Sequence, residues 1–167
     1  MPDLDPAAII GALNRCGVRF VVIGGIAAQL HDLAVPATID IDVTPARDNK
    51  NLQRLAKAFD ELEAGLATAN DAGSWFPRHP VKNWAQYDTL HLMTKHGPID
   101  LVFVPDGAPR GYDDLVDATV ELEIGDERVR VVTVARWEML KEASGRGKDL
   151  AHLDQHRATQ RRKNESL

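Results

Sequence analysis

An α+β fold, α/β-like in its alternation, with a mixed β-sheet flanked by helices, is predicted by three features of the sequence. Strand-like apolar runs and amphipathic stretches come in the order strand, helix, strand, helix, then a run of strands, then helices. The apolar period changes with them, from two over residues 38–43 to a helical repeat over 47–66. Apolar residues make up 44% of the 167 positions and aromatics only 5%, which suits one largely aliphatic core. The length fits a single domain over 1–167, with 135–167 as a C-terminal helical appendage.

Pro6 to Asn14 reads as a helix, with Asp5 as N-cap, Pro6 in the first turn and Ile9, Ile10 and Leu13 on one face. Gly17 ends it. Arg19 to Ile23 is a short apolar strand, Gly24-Gly25 turns the chain, and Ile26 to Leu33 is a short helix closed by Pro36. Thr38 to Val43 is a strand with two unlike faces. Arg47 to Leu66 is a long helix whose inner side carries Leu52, Leu55, Ala56, Phe59 and Leu62. Residues 67–86 show no clear period and carry Gly73, Pro77, Pro80, Trp75 and Trp84, the composition of a long loop. Thr89 to Thr94 and Ile99 to Val104 form a hairpin around Lys95-His96-Gly97-Pro98. Tyr112 to Ala118 is a short helix. Thr119 to Ile124 and Val129 to Val134 form a second hairpin around Gly125-Asp126, and helices over 134–143 and 148–162 flank Ser144-Gly145-Arg146-Gly147.

Composition excludes several classes. The single Cys16 rules out an internal disulfide and a multi-thiolate zinc site. No stretch approaches the roughly 20 apolar residues that span a bilayer, and the start Met1-Pro2-Asp3-Leu4-Asp5 is acidic where a signal peptide is basic. A soluble, cytoplasmic protein with no membrane partner is expected. A net charge of −5 argues against a cationic nucleic-acid coat and leaves room for a local basic patch.

The chemistry centres on Asp40-Ile41-Asp42. In a strand, residues two apart share a face, so Asp40 and Asp42 would stand about 6.6 Å apart at the backbone, with Ile39, Ile41 and Val43 turned into the core. Two adjacent anions call for an opposing charge, and hard oxygen ligands suit Mg²⁺; a solvated edge strand would carry the same pattern. Gly24-Gly25 follows an apolar strand and opens a helix, where glycine lets a phosphate approach the backbone and where an ordinary turn also favours it. A dinucleotide fingerprint is not met, because Ile26 and Gln29 are not glycine. Asp100, between Ile99 and Leu101, is costly to bury unless paired or metal-bound; an outward-facing position is the alternative. If its strand lies beside that of Asp40, three carboxylates converge near a phosphate cradle, the makings of a two-metal phosphoryl-transfer site.

Gly24-Gly25-x-Ala27, Thr38-x-Asp40-x-Asp42 and the later Asp100 together resemble the nucleotidyltransferase superfamily of polymerase-β-like fold. The Gly-Gly-x-Ala opening and Lys141-Glu142…Arg146-x-Lys148-Asp149-Leu150 most resemble the AbiEii- and MenT-type toxin nucleotidyltransferases, over about Arg19 to Asp154. The resemblance implies an enzyme that moves a nucleoside monophosphate from ATP or another NTP to an acceptor. Asp40, Asp42 and Asp100 would then be the catalytic metal ligands, with Asp100 also the base. Gly24, Gly25, Thr38, Arg146 and Lys148 would meet the nucleotide or acceptor. Mg²⁺ would be the cofactor, with Mn²⁺ able to replace it. The implied acceptor is RNA, such as the tRNA 3′ end, and the implied partner a cognate antitoxin protein.

The sequence also departs from that pattern. Gly25 stands where many members have a serine, and Leu33-Ala34-Val35-Pro36 lacks the cation that toxin-type members often place before the first Asp, a contact Arg47 or Lys50 could supply. Two other readings stand beside the first: an antibiotic-modifying nucleotidyltransferase of aminoglycoside or lincosamide type, and a nucleotide-binding or protein-interaction module without turnover. His31 lies near the proposed site but suits a capping or core role. His152 and His156, at i and i+4, lack a third ligand. Lys141 and Lys148 could be surface charges, and Trp75 and Trp84 could stack on a base or anchor the loop. Arg157, Arg161, Arg162 and Lys163 form the main basic run.

Overall fold

The computed structural model describes residues 2–68, 71–75, 84 and 86–166, without the side chains of 67, 68 and 71–75. Helix α1 is Pro6–Arg15, and the Asp5 carboxylate caps it by accepting from the Ala8 N–H at 3.0 Å. Strand β1 (Phe20–Ile23) has all four residues buried and runs straight into α2 (Gly24–Leu30). Then come β2 (Ile41–Pro45), α3 (Asn49–Glu61), β3 (Gly65–Thr68), β4 (Asp71–Trp75), β5 (Thr89–Thr94) and β6 (Gly97–Val102). Helix α4 (Tyr112–Leu115) passes into a 3₁₀ turn, Val116–Ala118. Strands β7 (Thr119–Ile124) and β8 (Glu127–Val132) and helices α5 (Val134–Ser144) and α6 (Gly147–Glu165) complete the order.

The described strands form one mixed sheet in the order β4-β3-β5-β6-β2-β1-β8-β7. Two neighbouring pairs, β2/β6 and β1/β8, are parallel and the others antiparallel. The fold class is therefore the one the element pattern predicts. Both parallel pairs serve the site. Pairing β2 with β6 sets Asp42 level with Asp100, and pairing β8 with β1 makes α5 begin at the sheet end where α2 begins.

Alternation fixes the faces. Ile41, Val43, Ile99 and Leu101 are fully buried and join a core with Leu52 and Leu55 of α3 and Ile9, Ile10 and Leu13 of α1. Each such aliphatic side chain gains roughly 1.5–3 kcal/mol from leaving water. The α5–α6 hairpin reaches the same core through Trp137 and Leu153, each 1% exposed. No described helix is long and apolar enough to cross a membrane.

Three segments differ from the sequence reading. The strand expected over Thr38–Val43 begins only at Ile41 and runs to Pro45, and Ile39, expected in the core, is 74% exposed. Partners are lacking at that point: β1 ends at Ile23, opposite Asp42, and on the other side the residue before Ile99 is Pro98, which has no N–H to give. The helix expected over 47–66 stops at Glu61, because Glu63 takes a positive φ and Gly65 and Leu66 pair with Met93 and Leu92. The expected loop over 67–86 contains the end of β3 and all of β4; its residues 69–70, 76–83 and 85 and the Trp75 side chain lie outside the described residues. Trp84 is buried, its ring 5.7 Å from that of Phe59.

One buried polar residue ties the first elements together. Asn51, fully buried at the start of α3, accepts from the Arg19 N–H at 2.7 Å and donates to the Arg19 and Ala46 carbonyls at 2.9 and 2.8 Å. Asn51→Ala removes the side-chain partners of two strand ends, so urea unfolding should show a loss of about 2–5 kcal/mol. A loss below about 1 kcal/mol would mean water replaces the amide.

Candidate active site

The site forms where β2, β6 and β5 present the residues that alternate with the core. Asp42 and Asp100 are direct partners on parallel β2 and β6, and His91 is the partner of Asp100 on antiparallel β5. Neighbouring strands lie about 4.8 Å apart, so the register brings both carboxylates and the imidazole into one row. His91 Nδ1 sits 2.9 Å from Asp100 Oδ2. This histidine, given no role from sequence, gains its place only through strand pairing.

Asp42 also meets the turn between β1 and α2. Ile23 is its partner on β1, and the next residue, Gly24, has φ +67°. A Cβ at Gly24 would lie 2.0 Å from Asp42 Oδ2, so glycine is required both by the backbone and by the carboxylate. At Gly25 a Cβ would lie 2.6 Å from the Thr38 Cβ. Thr38 donates its hydroxyl to the Asp40 carboxylate at 2.6 Å, which fixes the bend before β2. Asp40 is thus close enough to act on Asp42 and Asp100 electrostatically, but from a bend and not from the strand.

The cationic side comes from α5 and α6. Asp149, 4% exposed, accepts from Lys141 Nζ, from Ser144 Oγ at 2.6 Å and from Arg146 Nε at 2.8 Å. A cavity of about 330 Å³ is lined by Asp42, Asp100 and His91 from the sheet, by Trp137, Lys141, Ser144, Arg146 and Asp149 from the hairpin, and by Asp88 and Asp106. Of the two cations assigned from the resemblance, Arg146 lines this cavity, whereas Lys148 is exposed and is not part of its wall. Lys141 takes that place; it points inward because Asp149 draws it, a pairing across the helix–helix turn that residue spacing does not announce. Arg47 and Lys50 are exposed and outside the wall, so neither supplies the missing cation there. His31 Nε2 lies 2.7 Å from the Val132 carbonyl, which ties α2 to β8. His156 is buried 3.4 Å from Glu138.

Three carboxylates of the cavity are displaced, Asp42 and Asp100 upward and Asp149 downward. Burial, then the charges of Asp40 and Asp100, push Asp42 up to about 7, against a partial offset from Lys141 and Arg146. Burial also raises Asp100, against the opposing hydrogen bond from His91. At Asp149, burial is outweighed by the hydrogen bonds of Lys141 and Ser144 and by the Lys141 charge, and the group falls to about 2.

The donor chemistry fits a hard divalent ion. Asp42 and Asp100 are level with each other, and Asp42 is a half-buried carboxylate that burial and two neighbouring carboxylates hold toward its protonated form, against a partial offset from Lys141 and Arg146. Among the described residues, no three carboxylate, imidazole or thiol groups are gathered tightly enough to hold an ion as they stand. The third donor, Asp40, is engaged by Thr38.

No family model matches the chain, and no curated protein sequence matches it. Among solved structures, it is similar to a candidate nucleotidyltransferase from Thermotoga maritima with a TM-score of 0.48 and 14% identity, over 94% of this chain and 89% of that chain. A likeness of that degree says nothing about the site, whose reading rests on the geometry above.

Asp42 makes stability depend on pH in a defined sense. Its folded pKa lies above the unfolded one, so its contribution is fully present below about pH 4 and is lost as pH rises through about 7. Ionising it costs the fold on the order of 3–4 kcal/mol. In EDTA, Asp42→Asn should melt above the wild type at pH 8 and level with it at pH 4. Equal melting temperatures at pH 8 would show that the carboxylate carries no such penalty.

Proposed function

We propose that the chain is a metal-dependent nucleotidyltransferase that moves a nucleoside monophosphate from an NTP to an acceptor hydroxyl. The observation that carries this reading is the Asp42–Asp100 pair, set in register on parallel strands against Gly24, in one cavity with Lys141 and Arg146. Paired acidic groups beside paired basic ones suit a triphosphate better than a neutral substrate.

Asp42 and Asp100 would hold Mg²⁺, or Mn²⁺ in its place, and Asp40 would join them on releasing Thr38. Bound there, the ion supplies positive charge to the phosphates and acidity to the acceptor hydroxyl. Lys141 and Arg146 bind the anionic phosphates from the hairpin side. Gly24 and Gly25, lacking side chains, leave the backbone open to them, with Thr38 beside the turn. Asp100 takes the acceptor proton; burial raises its affinity for one, and His91 steadies the carboxylate. The acceptor oxygen bonds to the α-phosphorus as the bond to the bridging oxygen of the β-phosphate breaks, and pyrophosphate leaves with that electron pair.

For the acceptor we take RNA, such as the tRNA 3′ end, in the role of a toxin held in check by an antitoxin protein. The exposed run Arg161, Arg162 and Lys163 on α6 supports it. Arg157 belongs to the fold instead, with its guanidinium 2.8 Å from Glu142 and 3.9 Å from Glu138. Asp88 and Asp106 in the cavity wall favour a second reading, a small amine-bearing acceptor of aminoglycoside type, because they repel phosphate.

Asp42→Ala and Asp100→Ala should each lower transfer at least about a thousandfold with the fold intact, and the double variant should lose little more, since the groups act as a unit. Near-full activity in Asp100→Ala would remove it from the site. Replacing Arg161, Arg162 and Lys163 together by Gln should weaken an RNA acceptor and flatten its salt dependence while leaving NTP affinity unchanged. Identical salt curves would move the assignment to the small amine acceptor.

A further inference from the structure

Trp137 joins the two walls of the cavity. It sits one turn into α5, 1% exposed, and its indole Nε1–H donates to the Gly24 carbonyl at 3.0 Å. Gly24 is the residue packed on the Asp42 carboxylate. Lys141 Nζ, one helical turn further along α5, lies over the indole ring, 5.8 Å from its centroid. The buried His156 ring meets the indole edge-on, at 5.8 Å and 86°. One side chain thus touches the turn that carries the carboxylate wall and the lysine that heads the cationic wall.

We infer that Trp137 is a positioning residue for the triphosphate, a strut that sets Lys141 against Asp42 by pinning α5 to the Gly24 turn. The ligand in this inference rests on the nucleotidyltransferase reading; the strut rests on geometry alone. Core packing by itself asks only for a large flat ring, which phenylalanine nearly provides. The hydrogen bond is separable from packing because it depends on one N–H, and a buried indole N–H is directional. Loss of that bond frees the first turns of α5 from Gly24. The Lys141 ammonium, 13% exposed and held by the ring and Asp149, then loses its fixed distance from the phosphates.

Trp137→Phe tests this with two readouts. The first needs no ligand: acylation of Lys141 by an amine-reactive ester, followed by peptide mass spectrometry, with the exposed Lys57 and Lys163 as internal references. Labelling of Lys141 alone should rise about three- to tenfold, the equivalent of one hydrogen bond. The second is Mg·ATP affinity by calorimetry. It should fall by a similar factor in Trp137→Phe and fall no further when Trp137→Phe is added to Lys141→Met, because both act through one contact. Unchanged Lys141 labelling, a uniform rise across all three lysines, or additive affinity losses would each overturn the strut. Wild type that binds none of the four NTPs would refute the nucleotide reading instead, and the labelling result would still decide the strut. Should Trp137→Phe fail to fold, the wild-type indole proton decides: exchange slowed more than about a hundredfold supports the bond, and free exchange refutes it.

Discussion

The contact between Gly24 and the Asp42 carboxylate is the constraint from which the site follows. With a Cβ at that position lying 2.0 Å from Oδ2, the carboxylate occupies the space that any other residue would fill. Strand β1 must end there, since the positive φ of Gly24 turns the chain into α2. The end of β1 in turn sets the first residue of β2 that pairs with β1, because Ile23 is the last partner on that side and it pairs with Asp42. The Gly24 carbonyl, left accessible on the far side, receives the Trp137 indole. One close approach therefore fixes a strand end, a helix start, a carboxylate and the docking of the C-terminal hairpin.

Charge balance then decides what the cavity can hold. Asp42, Asp100 and Asp40 crowd negative charge into a partly buried corner, and Lys141 and Arg146 offset it only in part. Those two cations are themselves committed to Asp149, whose carboxylate is stabilised down to about 2 and so stays ionised through any physiological range. The cavity contains both signs of charge held apart by the fold. The proposed metal-bound triphosphate would bring a cation to the first group, which lacks one, and anionic oxygens to the second, which Asp149 already pairs.

Much of this was legible in the sequence, and the gaps have physical causes. Period-two patterning located β2, β5 and β6, and hence Asp42 and Asp100, because their alternate residues are buried to 0–8% beside α1 and α3. The same pattern misplaced Asp40 and Ile39. Alternation continues to residue 38 in the sequence, but pairing stops at Ile41, where β1 has ended and Pro98 cannot donate. The places of Lys141, quoted in its motif but read as a possible surface charge, and of His91, given no role, in the cavity wall were hidden for a different reason. Each is held by a carboxylate on the next element, Asp149 of α6 for one and Asp100 of β6 for the other, and the period within a single element does not encode such a contact. Lys148 stood out through its motif, yet it faces solvent beside the residue that turns inward.

Following the phosphates shows whether the two carboxylates and the two cations serve nucleoside monophosphate transfer. The protein is incubated with Mg²⁺, total RNA or an aminoglycoside, and each NTP labelled in turn at the α- or the γ-phosphate. Metal-dependent transfer puts α-label into the acceptor and releases γ-label as pyrophosphate, and EDTA stops both. Transfer of γ-label to the acceptor would mean a kinase-type reaction at the same groups, and turnover that persists in EDTA would contradict a role for Asp42 and Asp100 as metal ligands.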